Sequence, residues 1–192
     1  MEGNSTQKPQ LVMQLDSLEN LPQPNLPSGY LLRHFRSGYE RAWNKVIGRS
    51  FLGRNDFQSE IAEKDYFKPE RVFFIFFAEA GDVDAEDAVA TASAWHKEGW
   101  GERTGYLHMV GVVPAHRGKG LGLRVSAAAL RRMAEEDKEQ AVLETDDFRF
   151  AAIKTYLKLG FRPKVVHQNQ PERWRKVLRK LETPELIEDL NQ

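Results

Sequence analysis

The spacing of apolar residues changes in a regular order between residues 30 and 168, and each change predicts an element. Tyr30 to Arg36 alternates weakly, as a first strand. Tyr39, Trp43, Val46 and Ile47 then share one helical face running to about Phe51, and Ser37 followed by Glu40 has capping-box spacing at its start. A second helix is expected from Asn55 or Asp56, with Phe57 and Ile61 inward, ending before Pro69. Val72 to Ala78 is apolar on both faces, the pattern of a central strand covered from two sides. An acidic turn over Gly81 to Asp87 leads into a strand from Ala88 to His96, and Gly99-Trp100-Gly101 turns the chain into the next strand, Tyr106 to Val113. Leu121 to Asp137 reads as a helix with Leu123, Ala127, Leu130 and Ala134 facing a sheet and Arg124, Arg131, Glu135 and Lys138 facing water. A short strand at Ala141 to Thr145, a helix from Phe148 to Leu159 closed by Gly160, and a strand from Phe161 to His167 follow. Pro171 then stands at a helix-start position, and Trp174, Val177, Leu178 and Leu181 recur at helical spacing, which predicts a C-terminal amphipathic helix.

Composition narrows the function classes. With 28 basic and 28 acidic residues among 192, the chain carries no net charge, which argues against a bulk nucleic-acid binder. The basic run from Arg173 to Lys180 keeps its apolar residues on one helical face, so it reads as a docked helix with a solvated basic side. Cysteine is absent, which excludes disulfides and a thiolate nucleophile. The five histidines, His34, His96, His108, His116 and His167, show no ligand spacing, and no metal is expected. No apolar run approaches membrane-spanning length, and the expected setting is soluble and cytoplasmic, with no membrane partner. Residues 1–28, with Pro9, Pro22, Pro24 and Pro27 and an apolar patch at Leu11, Val12, Met13 and Leu15, are expected as an arm.

Candidate chemistry concentrates in Val110-Gly111-Val112-Val113-Pro114-Ala115-His116-Arg117-Gly118-Lys119-Gly120-Leu121-Gly122. A strand stops at a proline, glycines follow at alternate positions, and a helix begins. Such glycines accept positive φ and carry no Cβ, so backbone N–H groups converge on an anion where the helix dipole favours negative charge. The expected anion is a pyrophosphate. The spacing is that of neither a dinucleotide fingerprint nor a Walker loop.

The stretch Arg117-Gly118-Lys119-Gly120-Leu121-Gly122 resembles the acyl-CoA signature Q/R-x-x-G-x-G/A of the GCN5-related N-acetyltransferases (GNAT), and Ala151-Ala152-Ile153-Lys154-Thr155-Tyr156-Leu157-Lys158-Leu159-Gly160-Phe161 resembles that family's second signature. The T-D-D-F-R stretch and the M-V-G-V-V-P strand look most like members related to mycothiol synthase. The resemblance implies an α/β GNAT fold over residues 29–168, with a mixed central sheet of about six strands flanked by four helices, and the C-terminal helix over 169–192 packed on it. It implies acetyl-CoA as co-substrate, held by backbone amides from Gly118 to Leu123 within the loop Arg117, Gly118, Lys119, Gly120, Leu121, Gly122 and Leu123, with Val110, Gly111 and Val112 pairing with the pantetheine arm. Tyr156 aligns with the tyrosine that protonates the leaving thiolate in many members, and Glu144 aligns with a glutamate base. His108 is a second candidate base, because alternation puts it on the face of Val110 and Val112.

Arg149 stands where the family often has asparagine, and it cannot accept a hydrogen bond; pairing with Asp146 or Asp147, or contact with an anion, is expected instead. The acceptor is expected to be a primary amine on a small molecule or peptide, in a pocket bounded by the first two helices, Trp95, His96 and the C-terminal segment, with Trp100, Trp43 and Tyr39 as candidate lining. Exposed strand edges and an apolar helix face leave a homodimer open. Three functions compete: an N-acetyltransferase working by direct attack in a ternary complex, a catalytically silent acyl-CoA-binding or interaction module, and a nucleotide-binding loop unrelated to CoA.

Overall fold

Small side chains at Ala88, Ala90, Thr91, Ala92, Ser93 and Ala94 let strand β4 (Ala88–Trp95) be buried along its whole length, and the larger unit of the structure is assembled on it. The computed structural model describes residues 8–51, 55–78 and 83–191. These divide into two compact units, Leu15–Val142 and, together, the residues up to Gln14 and from Leu143. Among the described residues, no helix is long and apolar enough to cross a membrane.

In the larger unit β2 (Tyr30–His34), β3 (Val72–Phe77), β4, β5 (Thr104–Val112) and β6 (Gln140–Thr145) are neighbours in that order, antiparallel except for the parallel pair β5 and β6. Helix α1 (Glu40–Ser50) buries Ala42, Trp43, Val46 and Ile47, the face anticipated from spacing. Its N-cap is Tyr39, without a side-chain cap bond, so the capping box expected from Ser37 and Glu40 does not form. Gly38, at φ 96, turns the chain so that the Tyr39 ring packs on Phe74 and Phe76. The expected second helix is a single π-helical turn, Gln58–Ala62. Phe57 and Ile61 do point inward, but the chain leaves the helix early, and Phe67 packs edge-on against Phe35 and Phe57.

Helix α2 (Leu121–Glu135) buries Leu121, Val125 to Leu130 and Met133, whereas Leu123 and Ala134 are half-buried; the buried stripe is rotated from the expected one. The rotation follows from Gly105, whose missing Cβ lets Met133 settle on β5: a Cβ there would lie 2.9 Å from Met133 Cγ.

The smaller unit contains the end of β6, followed by β1 (Leu11–Leu15) and β7 (Arg162–Lys164), which pair antiparallel with Val12 opposite Lys164. Leu11, Val12 and Met13, expected within an arm, are thus part of a buried strand, and the described residues form seven strands against the about six anticipated. The last strand is shorter than the expected Phe161 to His167. Helices α3 (Phe150–Lys158) and α4 (Gln170–Lys180) complete this unit. Trp174, Val177, Leu178 and Leu181 are buried as their spacing predicted. Gln170, fully buried, accepts the N–H groups of Val166 and His167 and donates to the Gln10 carbonyl, tying α4 to the start of β1. Gly81 and Asp82 of the predicted acidic turn, and residues 1–7 of the arm, lie outside the described residues.

Candidate functional site

Strand β5 loses its regular alternation before it reaches the glycine loop. Ser93 is opposite His108 and Thr91 is opposite Gly111, so two residues, Met109 and Val110, face Ala92 alone. This is a β-bulge, and Met109 adopts φ 49 within it. The extra residue reverses the faces. A Cβ on Gly105 would meet Met133 of α2, whereas one on Gly111 would meet Ile47 and Ser50 of α1, although both positions are odd. His108 and Val112 therefore lie on opposite faces, which corrects the shared face expected from simple alternation. On its other edge β5 pairs with β6 over Thr104–Tyr106 only, and the ladder goes no further toward Val112.

Beyond β5 the chain makes a 3-10 turn at Pro114–His116, runs extended through Arg117, and enters positive φ at Gly118 (79°) and Gly120 (72°). Gly120 is the N-cap of α2, whose first-turn bond runs from the Arg124 N–H to the Gly120 carbonyl. The N–H groups of Leu121, Gly122 and Leu123 precede that bond and have no acceptor within the helix. Among the described residues, nothing lies within 4 Å of where a Cβ on Gly118 would be. Open space beside converging amides, with Arg117, Lys119 and Arg124 around it, suits a diphosphate in charge and in geometry. Arg124 folds back over the loop, with Nη1 donating to the carbonyl oxygens of Gly120 (3.1 Å) and Lys119 (3.4 Å) and Nε to that of Asn25.

The loop is also held from β2. The Lys119 ammonium donates to the Tyr30 hydroxyl (3.0 Å), which lies 2.9 Å from His116 Nδ1. Burial, then the charges of Lys119 and Lys45, lower the His116 pKa, and Nδ1 of that ring is the atom that meets the phenol. Tyr30 is buried against Phe77 and His116, with ring centroids 5.1 and 5.7 Å away. Tyr30 and His116 were not anticipated as site residues. A weakly alternating strand start and a loop histidine give no local signal for a contact spanning 86 positions.

His108 stacks near Trp95 and Tyr106, at 6.0 and 5.4 Å between centroids. Burial, assisted by the charge of Lys97, pushes its pKa down to about 4, so the imidazole is neutral at physiological pH. Ser93, directly across the strand pair, is fully buried, and its hydroxyl has no hydrogen-bond partner among the described residues. Trp43 and Tyr39, considered as pocket lining, are core residues, at 0 and 4 % exposure.

In the smaller unit, α3 turns Ile153 and Tyr156 inward. Tyr156 packs on Phe161, and burial raises its phenol to about 12, with the Arg149 charge acting in the opposite direction. The phenol therefore holds its proton at neutral pH. Glu144 is half-buried on β6. Arg149 forms the expected pair with Asp146, Nε to Oδ2 at 3.0 Å, and lies over the Phe148 ring. Asp147 is gripped by Arg173 through Nε at 2.9 Å, a bond that holds its carboxyl below the usual range. Among the described residues no group of three or more His, Asp or Glu is placed to hold a metal ion.

The sequence profile of the acetyltransferase (GNAT) family matches residues 32–161. A mycothiol acetyltransferase of Streptomyces bingchenggensis is 32% identical over 151 residues, covering 74% of this chain and 46% of the relative. One from Saccharomonospora viridis is 32% identical over 173 residues, covering 83% and 55%. The chain thus spans about half the length of the curated relatives it matches. A Mycobacterium tuberculosis protein crystallised in complex with CoA and NLQ shares the fold, with a TM-score of 0.52 at 15% identity over 82% of this chain and 88% of that one.

Proposed function

Because the chain belongs to the acetyltransferase (GNAT) family, we propose that it transfers an acetyl group from acetyl-CoA to a primary amine by direct attack within a ternary complex. The observation that carries this reading is the loop from Val113 to Leu123, where Gly118 and Gly120 take positive φ, Gly118 borders open space, and the helix-start amides have no acceptor within α2. Acetyl-CoA supplies the activated thioester. The residues that would hold it are Arg117, Gly118, Lys119, Gly120, Leu121, Gly122 and Leu123 at the diphosphate, and Val110, Gly111 and Val112 along the pantetheine arm. The second assignment is favoured because β5 is not laddered to β6 past Tyr106, so its backbone groups are available for strand-like pairing. An amide beside the Met109 bulge would polarise the thioester carbonyl.

Attack forms the new C–N bond and breaks the C–S bond. The thiolate needs a proton, and the amine must lose one. Tyr156, protonated at neutral pH, is the proposed donor to sulfur. Glu144 and His108 are the proposed acceptors of the amine proton; His108 is neutral, as a base must be, but weak. The relatives named as mycothiol acetyltransferases favour a small-molecule amine over a peptide as the first acceptor class to screen.

Calorimetric titration with acetyl-CoA, followed by turnover on an amine panel, tests the reading. Micromolar binding with turnover is expected, and Tyr156→Phe should lower kcat about a hundredfold while leaving acetyl-CoA affinity unchanged. Failure of the wild type to bind acetyl-CoA would overturn the proposal. Binding without turnover on any amine would replace it with a silent acyl-CoA-binding module.

A further inference from the structure

We infer that Tyr30 is a positioning residue for the anion-binding loop: its single phenolic oxygen ties together two loop side chains, His116 and Lys119, that flank the apex at Arg117 and Gly118. The inference rests on the donor-site reading above.

Besides the Arg124 bonds over Lys119 and Gly120 and the bond from Arg117 Nε to the Val112 carbonyl, all of them exposed, the loop needs a buried anchor. Arg117, Gly118, Lys119 and Gly120 are exposed, and two of the four are glycines in a backbone region that costs them nothing but entropy. A loop of this kind samples many conformations unless long-range contacts select one. Tyr30 provides such a contact. Its main chain is laddered to Phe77 of β3, its ring is buried, and its hydroxyl projects to the loop from a strand 86 and 89 residues away in sequence.

The Lys119 ammonium can only donate, so the Tyr30 oxygen accepts from it, and the same oxygen bonds His116 Nδ1, as donor or acceptor according to the ring tautomer. Lys119 also lies 5.6 Å over the Tyr30 ring and 6.0 Å over that of Phe77, which keeps the ammonium beside the loop in one orientation. The amides of Leu121 to Leu123 thus face their anion before it arrives, and binding does not have to order the loop.

The test is Tyr30→Phe, which keeps the ring packing and removes only the oxygen. Acetyl-CoA affinity should fall about tenfold, the factor expected for one to two net hydrogen bonds. kcat at saturating acetyl-CoA should be unchanged, and amide hydrogen exchange in the unliganded protein should quicken at residues 115–121 but not in β2 or β3. His116→Leu, which removes one of the two bonds, should weaken binding less, and the double variant should be no weaker than Tyr30→Phe alone, because that change already removes the bond to His116. Unchanged affinity and exchange in Tyr30→Phe would overturn the inference, as would equal losses in kcat and thermal stability with no change local to the loop. If the wild type fails to bind acetyl-CoA, the donor-site reading falls instead, and the exchange measurement alone decides whether Tyr30 orders the loop.

Discussion

Adding a methyl group at Gly120 and at Gly118 separates two sources of order in the anion loop. Both residues sit at nearly the same positive φ, 72° and 79°, so an alanine at either meets a comparable backbone cost of about 1–2 kcal/mol. They differ in their surroundings. A Cβ on Gly118 enters open space, whereas one on Gly120 collides with Nη1 of Arg124. The guanidinium must then move, releasing its bonds to the carbonyl oxygens of Gly120 and Lys119 and its contact with Asn25. These bonds are exposed, so their combined net worth is about 1 kcal/mol. Gly118→Ala should therefore lose about 1–2 kcal/mol in the loop, and Gly120→Ala about 1 kcal/mol more. If the cost is met by local loop rearrangement, acetyl-CoA affinity falls about tenfold for each 1.4 kcal/mol, through the reduced population of the binding-competent loop. Denaturant unfolding measures the global share and calorimetric titration the local one. Arg124→Ala should abolish the difference between the two glycine variants. Equal effects at both glycines, or a larger effect at Gly118, would refute the assignment of Arg124 as the strut over Gly120.

Two further outcomes follow from the core. Gly105→Ala should destabilise the larger unit by about 1–3 kcal/mol, as overpacking against Met133 requires, and chemical denaturation should show this with no change in the loop's own exchange. His108, with its pKa depressed to about 4 in the folded protein, contributes stability that is fully present above its unfolded value of about 6.5 and is lost as pH falls through about 4. Its ring proton shift followed by NMR should stay flat from pH 8 to 5 and move near pH 4, whereas a midpoint above pH 6 would contradict the buried, Lys97-facing environment.

Much of the fold was legible because it depends on local chemistry. The α1 face at Trp43, Val46 and Ile47 and the C-terminal helix through Trp174, Val177 and Leu178 follow from periodicity, since a buried face must repeat with the element's own period, and the central place of β3 follows from its apolar run. The glycine loop was legible for the same kind of reason. A residue at φ 72 immediately before a helix is glycine on steric grounds alone, and the amides that follow lack acceptors in any helix.

Tertiary structure decided the rest wherever one residue or one distant contact changed the outcome. The apolar patch at Leu11 to Leu15 has no local reason to be a strand; it becomes one by pairing with residues 162–164, about 150 positions away. The bulge at Met109 and Val110 adds one residue to β5, and a period of two turns that single addition into an exchange of faces, which separates His108 from Val112. The hold of Tyr30 on His116 and Lys119 is of the same kind. Composition and spacing specified a glycine loop with helix-start donors, the anion site proposed above, whereas only the folded sheet brings the Tyr30 phenol to His116 and Lys119.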